Sequence, residues 1–88
     1  MNPTKVFQDE LKKIPDDVKK EVDWSFAIAD KIEKILNERN LTHKEWASQI
    51  GKTEAEVSRW VSGTHNFTLR TLSKLSVALG KDLIKVEH

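Results

Sequence analysis

Cysteine is absent from this chain of 88 residues, and prolines and glycines are few, at two and three respectively. Without cysteine the chain has no disulfide framework and no thiolate metal site, which fits a reducing compartment. No apolar run approaches the roughly 20 residues of a membrane span, and the start MNPTKVFQDELKK lacks the apolar segment of a signal peptide. We therefore expect a cytoplasmic protein that does not enter a membrane.

An excess of charge of one sign is also lacking, because 15 Lys and Arg against 14 Asp and Glu leave a net charge of +1. Residues 1–40 hold eight basic and nine acidic residues, whereas residues 41–88 hold seven and five. The second half therefore carries a small positive excess, which has the sign expected for a nucleic-acid partner.

Signatures of catalysis are missing as well. The chain has no Gly-rich phosphate loop, no HExxH and no nucleophile elbow. His43, His65 and His88 have no Cys or Asp partners at ligand spacing, which is more typical of loop and surface histidines than of a metal site. We expect no enzyme activity, no bound metal and no cofactor.

The stretch LTHKEWASQIGKTEAEVSRWVSG, residues 41–63, predicts two short helices joined by a turn. Thr42 with Glu45 and Thr53 with Glu56 both form the T-x-x-E pattern of a capping box, in which each side chain bonds the other residue's backbone amide. The two helix starts therefore lie eleven residues apart.

Other residues support the start of the first helix and the ends of both helices. Leu41 and Trp46 flank the first cap at the spacing of a hydrophobic staple. Gly51 and Gly63 follow the helices and can adopt the left-handed conformation of a helix C-terminus. Helix, tight turn and helix together are typical of a helix-turn-helix unit.

The second helix divides into two faces at about 100° per residue. Its inward face holds Val57, Trp60 and Val61, whereas Ala55, Ser58, Arg59 and Ser62 point outward and Glu54 and Glu56 lie on the flanks. Roughly nine residues make a rod of about 13 Å, which suits a major groove about 12 Å wide. The alternative is an ordinary surface helix whose arginine is solvated or pairs with Glu56.

The run of residues 41–63 followed by THNFTLRTLSKLSVALG resembles the phage repressor-like (Xre/Cro) helix-turn-helix family. The positions that match its pattern are Leu41, Thr42, Glu45, Ala47, Ile50, Gly51, Val57, Ser58, Trp60, Gly63, Leu69, Leu72 and Leu79. The resemblance implies an all-α, lambda-repressor-like bundle of four to five helices, here with an N-terminal helical extension. It also implies a homodimer that inserts its third helix into the major groove of double-stranded operator DNA.

This resemblance and the outward face together give two sets of candidate contacts. We expect base contacts from Arg59, Ala55, Ser58 and Glu54, with Arg59 as the main reader because its fork suits the acceptors of guanine. We expect phosphate contacts from Thr42, His43, Lys44, Lys52, Thr53, Ser62, Thr64, His65 and Asn66. Two features depart from the family pattern: His43 stands where a glutamine is common, and Glu54 and Glu56 make the helix start acidic.

The length supports one domain, which we divide into an N-terminal helical arm (residues 1–22), a helix-turn-helix domain (23–80) and a tail (81–88). A first short helix is expected from Asn2 to Lys13, ended by Pro15. A second is expected from Asp16 to about Arg39, with an apolar stripe of Val18, Val22, Phe26, Ala29, Ile32, Ile35 and Leu36.

Three features of the chain leave alternatives open. Trp24 fits no stripe, so it either packs against a neighbouring helix or anchors an interface. The last predicted helix starts at Thr68 with the apolar set Leu69, Leu72, Leu75, Val77 or Ser76, and Leu79. The tail KDLIKVEH favours a short strand by its alternation, although the family often has a fifth helix there.

Three functions are compatible with these features. The first is a DNA-binding repressor. The second is an antitoxin, because IPDDVKKEVDWSFAIADKIEKIL followed by SGTHNFTLRTL is similar to HigA-like antitoxins, which bind a ribonuclease toxin and repress their own operon. The third is a helical scaffold that does not bind DNA.

Overall fold

The computed structural model describes residues 13–87, which form four helices and no strand. They are α1 (Asp16–Glu38), α2 (His43–Gln49), α3 (Glu54–Trp60) and α4 (Leu69–Leu79). The predicted all-α bundle is therefore confirmed, whereas the short helix expected from Asn2 to Lys13 falls on residues outside this range. None of the described helices is long and apolar enough to cross a membrane.

Helix α1 begins and ends close to the predicted residues. Pro15 precedes it without a side-chain cap, and Asp16 and Asp17 place negative charge in its first turn, at the positive end of the helix dipole. It ends at the Arg39 cap, after which Asn40 adopts the left-handed conformation with φ 55°. The helix runs unbroken through the boundary that we expect between residues 22 and 23.

The three shorter helices begin at threonine caps. Thr42 Oγ1 accepts the Glu45 amide at 3.1 Å, and Glu45 Oε1 accepts the Thr42 amide at 3.2 Å. Thr53 and Glu56 form the same reciprocal pair at 3.1 and 2.9 Å. Thr68 accepts the amide three residues later at 3.1 Å. Both predicted capping boxes are thus confirmed.

The core lies where the second half of α1 meets the three short helices. Trp46, Ile32, Leu36, Leu79 and Val57 are its largest fully buried side chains. Its other members are Ile28, Ile35, Ala47, Trp60, Leu72, Leu75 and Leu83. Trp46 and Trp60 meet edge to face, with ring centroids 5.9 Å apart at 70°, a preferred geometry for aromatic pairs.

Part of the predicted apolar stripe of α1 does not join this core. Val18, Val22 and Phe26 are 39, 47 and 49% exposed, and the first buried residue of the helix is Ser25. Ile28, which the predicted stripe omitted, is buried instead. Helical spacing identified one side of α1 but could not show that the short helices cover only its second half.

The predicted stripe of α4 is also wrong at Leu69, and only one of its two alternatives, Ser76, is partly buried. Leu72, Leu75 and Leu79 are buried, but Leu69 and Val77 are 72 and 83% exposed. Ser76 is the half-buried alternative to Val77. The core of this small domain covers a narrower arc of α4 than its apolar residues span.

The expected strand is not formed by the described part of the tail, residues 81–87. Leu83 instead folds into the core at 4% exposure, and its amide donates to Ser76 Oγ at 3.1 Å. A strand needs a second strand to receive its backbone hydrogen bonds, and the described residues provide none. Helix α1 holds the tail, because the Lys31 ammonium donates a hydrogen bond to the Asp82 carbonyl. The Arg39 guanidinium of the same helix's cap donates to the Leu79 carbonyl at the end of α4.

Gly63 closes α3 at φ 87°, and the ring of Phe26 lies directly against it, so that a Cβ at this position would overlap the ring. Gly51 has a similar φ of 70° but open space around it. We expect Gly51→Ala to cost about 1 to 2 kcal/mol, the usual penalty of a left-handed residue with a side chain. Gly63→Ala should cost more, as measured by the free energy of unfolding in urea.

Adding the substitution Phe26→Ala separates the cost of the overlap from the cost of the backbone conformation. It removes the ring but leaves the positive φ of residue 63 unchanged. In that background, Gly63→Ala should cost no more than Gly51→Ala. An equal excess cost with and without the ring would contradict this explanation.

Candidate nucleic-acid interface

Helix α3 presents the outward face that the sequence predicts. Val57 and Trp60 are buried and Val61 is partly buried, whereas the candidate base contacts are all exposed. The helix contains seven residues, two fewer than expected, so it is about 10 Å long and still suits a major groove about 12 Å wide. At about 100° per residue, Glu54, Ala55, Ser58, Arg59 and Ser62 occupy one arc of about 140°.

The turn between α2 and α3 sets the direction of this face. Gly51 takes the left-handed conformation, and the Lys52 amide donates to the Ala47 carbonyl at 2.8 Å. The Trp46 and Trp60 rings then join the two helices from the core side. Because the side chains of Trp46 and Trp60 are both buried, their contact fixes α3 relative to α2.

Arg59 is exposed and forms no ion pair with any residue of the described range. The alternatives were a solvated arginine, which fits this exposure, and an ion pair with Glu56 on the same helix, which does not form. Glu56 instead accepts the Thr53 amide at 2.9 Å in its capping box. The guanidinium of Arg59 is therefore available to an external acceptor.

The Glu56 carboxylate is stabilised in its ionised form. The Thr53 amide lowers its pKa most, and the charges of Lys52 and Arg59 lower it further, against an opposing effect of desolvation. The acidic flank of α3 thus has a structural role at the helix start. Glu54 is exposed and forms no ion pair among residues 13–87.

The hydroxyl groups that follow α3 are bonded to each other. Ser62 Oγ donates to the Arg59 carbonyl at 2.7 Å, which uses its single hydrogen. The 3.0 Å contact between Thr64 Oγ1 and Ser62 Oγ must then use the hydrogen of Thr64. In this arrangement neither hydroxyl has a hydrogen left for a phosphate.

The two histidines among the candidate phosphate contacts also have partners in the chain. His43 Nε2 contacts the Glu33 carboxylate of α1, and both side chains are partly buried. The His65 ring meets Phe67 edge to face at 4.8 Å. Lys44, Lys52 and Asn66 are exposed.

The remaining candidate phosphate contacts are the caps Thr42 and Thr53, which are exposed but occupied by their capping boxes. Sequence reasoning missed Glu33 and Phe26, which contact His43 and Gly63 from α1. These pairs lie ten or more residues apart on different elements, so no local pattern could have found them. Among residues 13–87, no cluster of three His, Asp or Glu side chains could hold a metal ion.

Folding lowers the pKa of Glu56 below its ordinary value of 4.5. The ionised carboxylate therefore stabilises the fold at pH values above 4.5. The stabilisation should be lost as the pH falls from there through the lowered pKa. Glu56→Gln keeps a hydrogen-bond acceptor but no charge. The melting temperature of this variant should therefore be lower than that of the wild type at pH about 7. It should also fall less than that of the wild type between about pH 7 and pH 3. An identical fall in both proteins would contradict this role.

No curated protein and no solved structure matches the chain. A family model described as Helix-turn-helix matches residues 32–86, which run from the second half of α1 through α4 into the tail. This range covers more than half of the chain and includes the turn and both capped helices described above. The chain belongs to the phage repressor-like (Xre/Cro) helix-turn-helix family, a family of DNA-binding regulators.

Proposed function

We propose that this protein is a sequence-specific transcriptional repressor that binds operator DNA as a homodimer. One observation carries this proposal: the exposed face of α3 presents Arg59 without an ion-pair partner in the described chain. The tryptophan contact fixes that face relative to α2. A rigid helix with one long donor surrounded by small side chains suits entry into a major groove.

Arg59 is the main base reader in this proposal, donating to O6 and N7 of a guanine. Ala55 contacts a thymine methyl group, and Ser58 supplies a hydrogen bond that can adapt to either partner. Glu54 accepts from the amino group of a cytosine, which turns the acidic residue at the helix start into a source of specificity. All four side chains are exposed on one arc of α3.

Phosphate contacts hold α3 in register on the duplex without reading sequence. Lys44, Lys52 and Asn66 are the strongest candidates because their side chains are exposed. Thr42, Thr53, Ser62 and Thr64 would contact phosphate only by exchanging existing hydrogen bonds. His43 and His65 are oriented by Glu33 and Phe67.

A homodimer follows from how little one recognition helix can read. Three or four side chains specify only a few base pairs, and each mismatch costs about 1 to 3 kcal/mol. Two copies on half-sites about 34 Å apart would double the specified sequence. Occupation of such a palindrome by the dimer would block transcription.

Arg59→Ala should reduce affinity for the preferred site by about 1 to 3 kcal/mol, with the loss concentrated at one base position per half-site. The preferred site would be selected from random duplex DNA. The affinities of its single-base variants would then be measured by fluorescence anisotropy. An equal loss on all sequences would make Arg59 a phosphate contact.

Lys44→Ala is the matched control, because it removes one exposed positive charge from α2 without touching α3. It should weaken binding to every sequence alike and reduce the slope of log affinity against log salt by about one unit. An unchanged slope would exclude Lys44 from the interface.

A second function, an antitoxin that binds a ribonuclease toxin and represses its own operon, is favoured by the exposed side of α1. Val18 and Val22 of this helix, and Ile14 just before it, follow one another at four-residue spacing and are 39, 47 and 37% exposed. Trp24, on the opposite side of the helix, is 63% exposed. This exposure favours the interface role for Trp24, since tryptophan is enriched in binding sites.

In this second proposal residues 1–22 are an interaction arm that the fold of residues 23–80 does not need. The partner would be the product of a small, basic reading frame next to the gene, which should inhibit growth when expressed alone. Co-expression of the full chain should restore growth, whereas the double variant Val18→Glu, Val22→Glu should not, because it charges the apolar stripe. Lys20→Glu, on the opposite face and also exposed, should restore growth normally.

Two measurements complete this test. A chain that begins at Asp23 should keep its helical circular dichroism and its DNA affinity, because the first buried residue of α1 is Ser25. Unfolding of this shorter chain would show that the arm belongs to the core. Full rescue of growth by the double variant would remove the stripe of α1 as the toxin-binding surface.

A further inference from the structure

The first half of α1 carries an apolar row that the other residues of the range 13–87 leave exposed, and we call it the α1 stripe. It consists of Val18, Val22 and Phe26, which are 39, 47 and 49% exposed. They lie within an arc of about 80° around the helix at 100° per residue. Contiguous exposed apolar side chains on a small protein mark an interaction surface.

A small groove lies at the far end of the α1 stripe. Val22 and Phe26 line one side of it, and Gly63 and Thr64, which follow α3, line the other. Its volume is about 220 Å³. Pockets for small molecules are larger, at about 300 to 1,000 Å³, so this groove better suits a side chain from a neighbouring segment.

The chain changes direction immediately before α1. Lys13 lies in a turn and Ile14 in a bend, and Pro15 has an extended backbone with φ −57° and ψ 147°. Proline has no amide hydrogen for a helix, and it disfavours helical backbone in the residue before it. A helix that precedes this turn is therefore not a continuation of α1 and can lie beside it.

Residues 2–12 have an apolar row that matches the α1 stripe. Three residues before the turn, Val6, Phe7 and Leu11, fall within about 140° at 100° per residue. If the chain folds back with its bend at residues 14–15, Leu11 lies opposite Val18 and Phe7 lies opposite Val22. A shift of one residue in either direction would place an acidic residue of α1 opposite Phe7. The apolar pattern therefore favours one register.

The charges agree with this register. Positions at which both segments are charged always join opposite signs, namely Lys13 with Asp16, Lys12 with Asp17, Glu10 with Lys19 and Asp9 with Lys20. The remaining charged residues, Lys5, Glu21 and Asp23, fall opposite uncharged ones. Glu10 and Lys19 flank the two apolar rows, where charges set the orientation of paired helices. The first half of α1 thus complements the segment that precedes it in both charge and apolar pattern.

We propose that residues 2–12 form a helix that folds back on α1 and covers the α1 stripe. Eleven helical residues span about 16 Å, so the segment ends close to Ser25, where the buried part of α1 begins. Phe7 packs on Val22 at the mouth of the groove. This contact does not depend on either proposed function. It closes the stripe to a second protein, which binds there only by displacing residues 2–12.

The lack of cysteine allows a cross-linking test in the full chain. Phe7→Cys with Val22→Cys should form an intramolecular disulfide on mild oxidation, because the docked helices bring the two Cβ atoms together. In the matched control Phe7→Cys with Trp24→Cys, the second cysteine lies about 160° from Val22 around α1. The first pair should react at least about tenfold faster, because loops of nearly equal length differ little in closure entropy.

Hydrogen exchange tests the contact without cysteines. Phe7→Asn should raise the exchange rates of the amides of residues 18–22 at least about threefold, because this part of α1 loses its cover. The amides of α2 to α4 should exchange as in the wild type. Asp9→Asn is the matched control, since it introduces the same residue about 160° from Phe7 around the expected helix, and it should leave exchange unchanged.

Several results would overturn the inference. Equal cross-linking rates of the two cysteine pairs would describe a segment that is tethered but not docked, and a disulfide between two chains would assign the stripe to a second copy. Unchanged exchange in Phe7→Asn would remove this side chain from the contact, and faster exchange throughout α2 to α4 would place it in the core. The proposed function fails separately: a chain that cross-links as expected yet selects no sequence from random DNA would keep this contact and contradict sequence-specific repression.

Discussion

The edge-to-face contact of Trp46 with Trp60 is the interaction on which the rest of this structure depends. Helices α2 and α3 have seven residues each, which is too short for a stable helix in water without tertiary contacts. Each helix therefore owes its stability to the face that it buries. The two indoles, with Val57 and Ala47 beside them, supply that face and also fix the angle at which α3 presents its polar side.

Helix α1 extends this arrangement by contacting segments far along the chain. Glu33 contacts His43 at the start of α2, Lys31 donates to the Asp82 carbonyl, and Arg39 donates to the carbonyl of Leu79. Positive side chains at the end of α4 are favoured there by its helix dipole. One helix thus orients the first helix of the DNA-binding motif and secures the last helix and the tail.

The small core leaves two apolar surfaces of the helices exposed. A chain of this size can cover only part of the apolar surface that its helices carry. The first half of α1 and the outer side of α4 lie outside the core, on elements that the core already holds firmly.

The sequence alone determined the local features. Both capping boxes depend on residues three apart, the glycine turns on one residue each, and the two faces of α3 on helical periodicity, so each was predictable before any tertiary contact was known. The family resemblance added the arrangement of the helices. Tertiary structure alone decided which apolar residues are covered: Leu69, Val77 and Val22 keep helical spacing yet remain exposed. It also decided the tail, where Leu83 enters the core in place of a strand, and the pairing of His43 with Glu33. Burial and pairing between distant segments depend on which surfaces the fold brings together, and a local pattern contains no information about that.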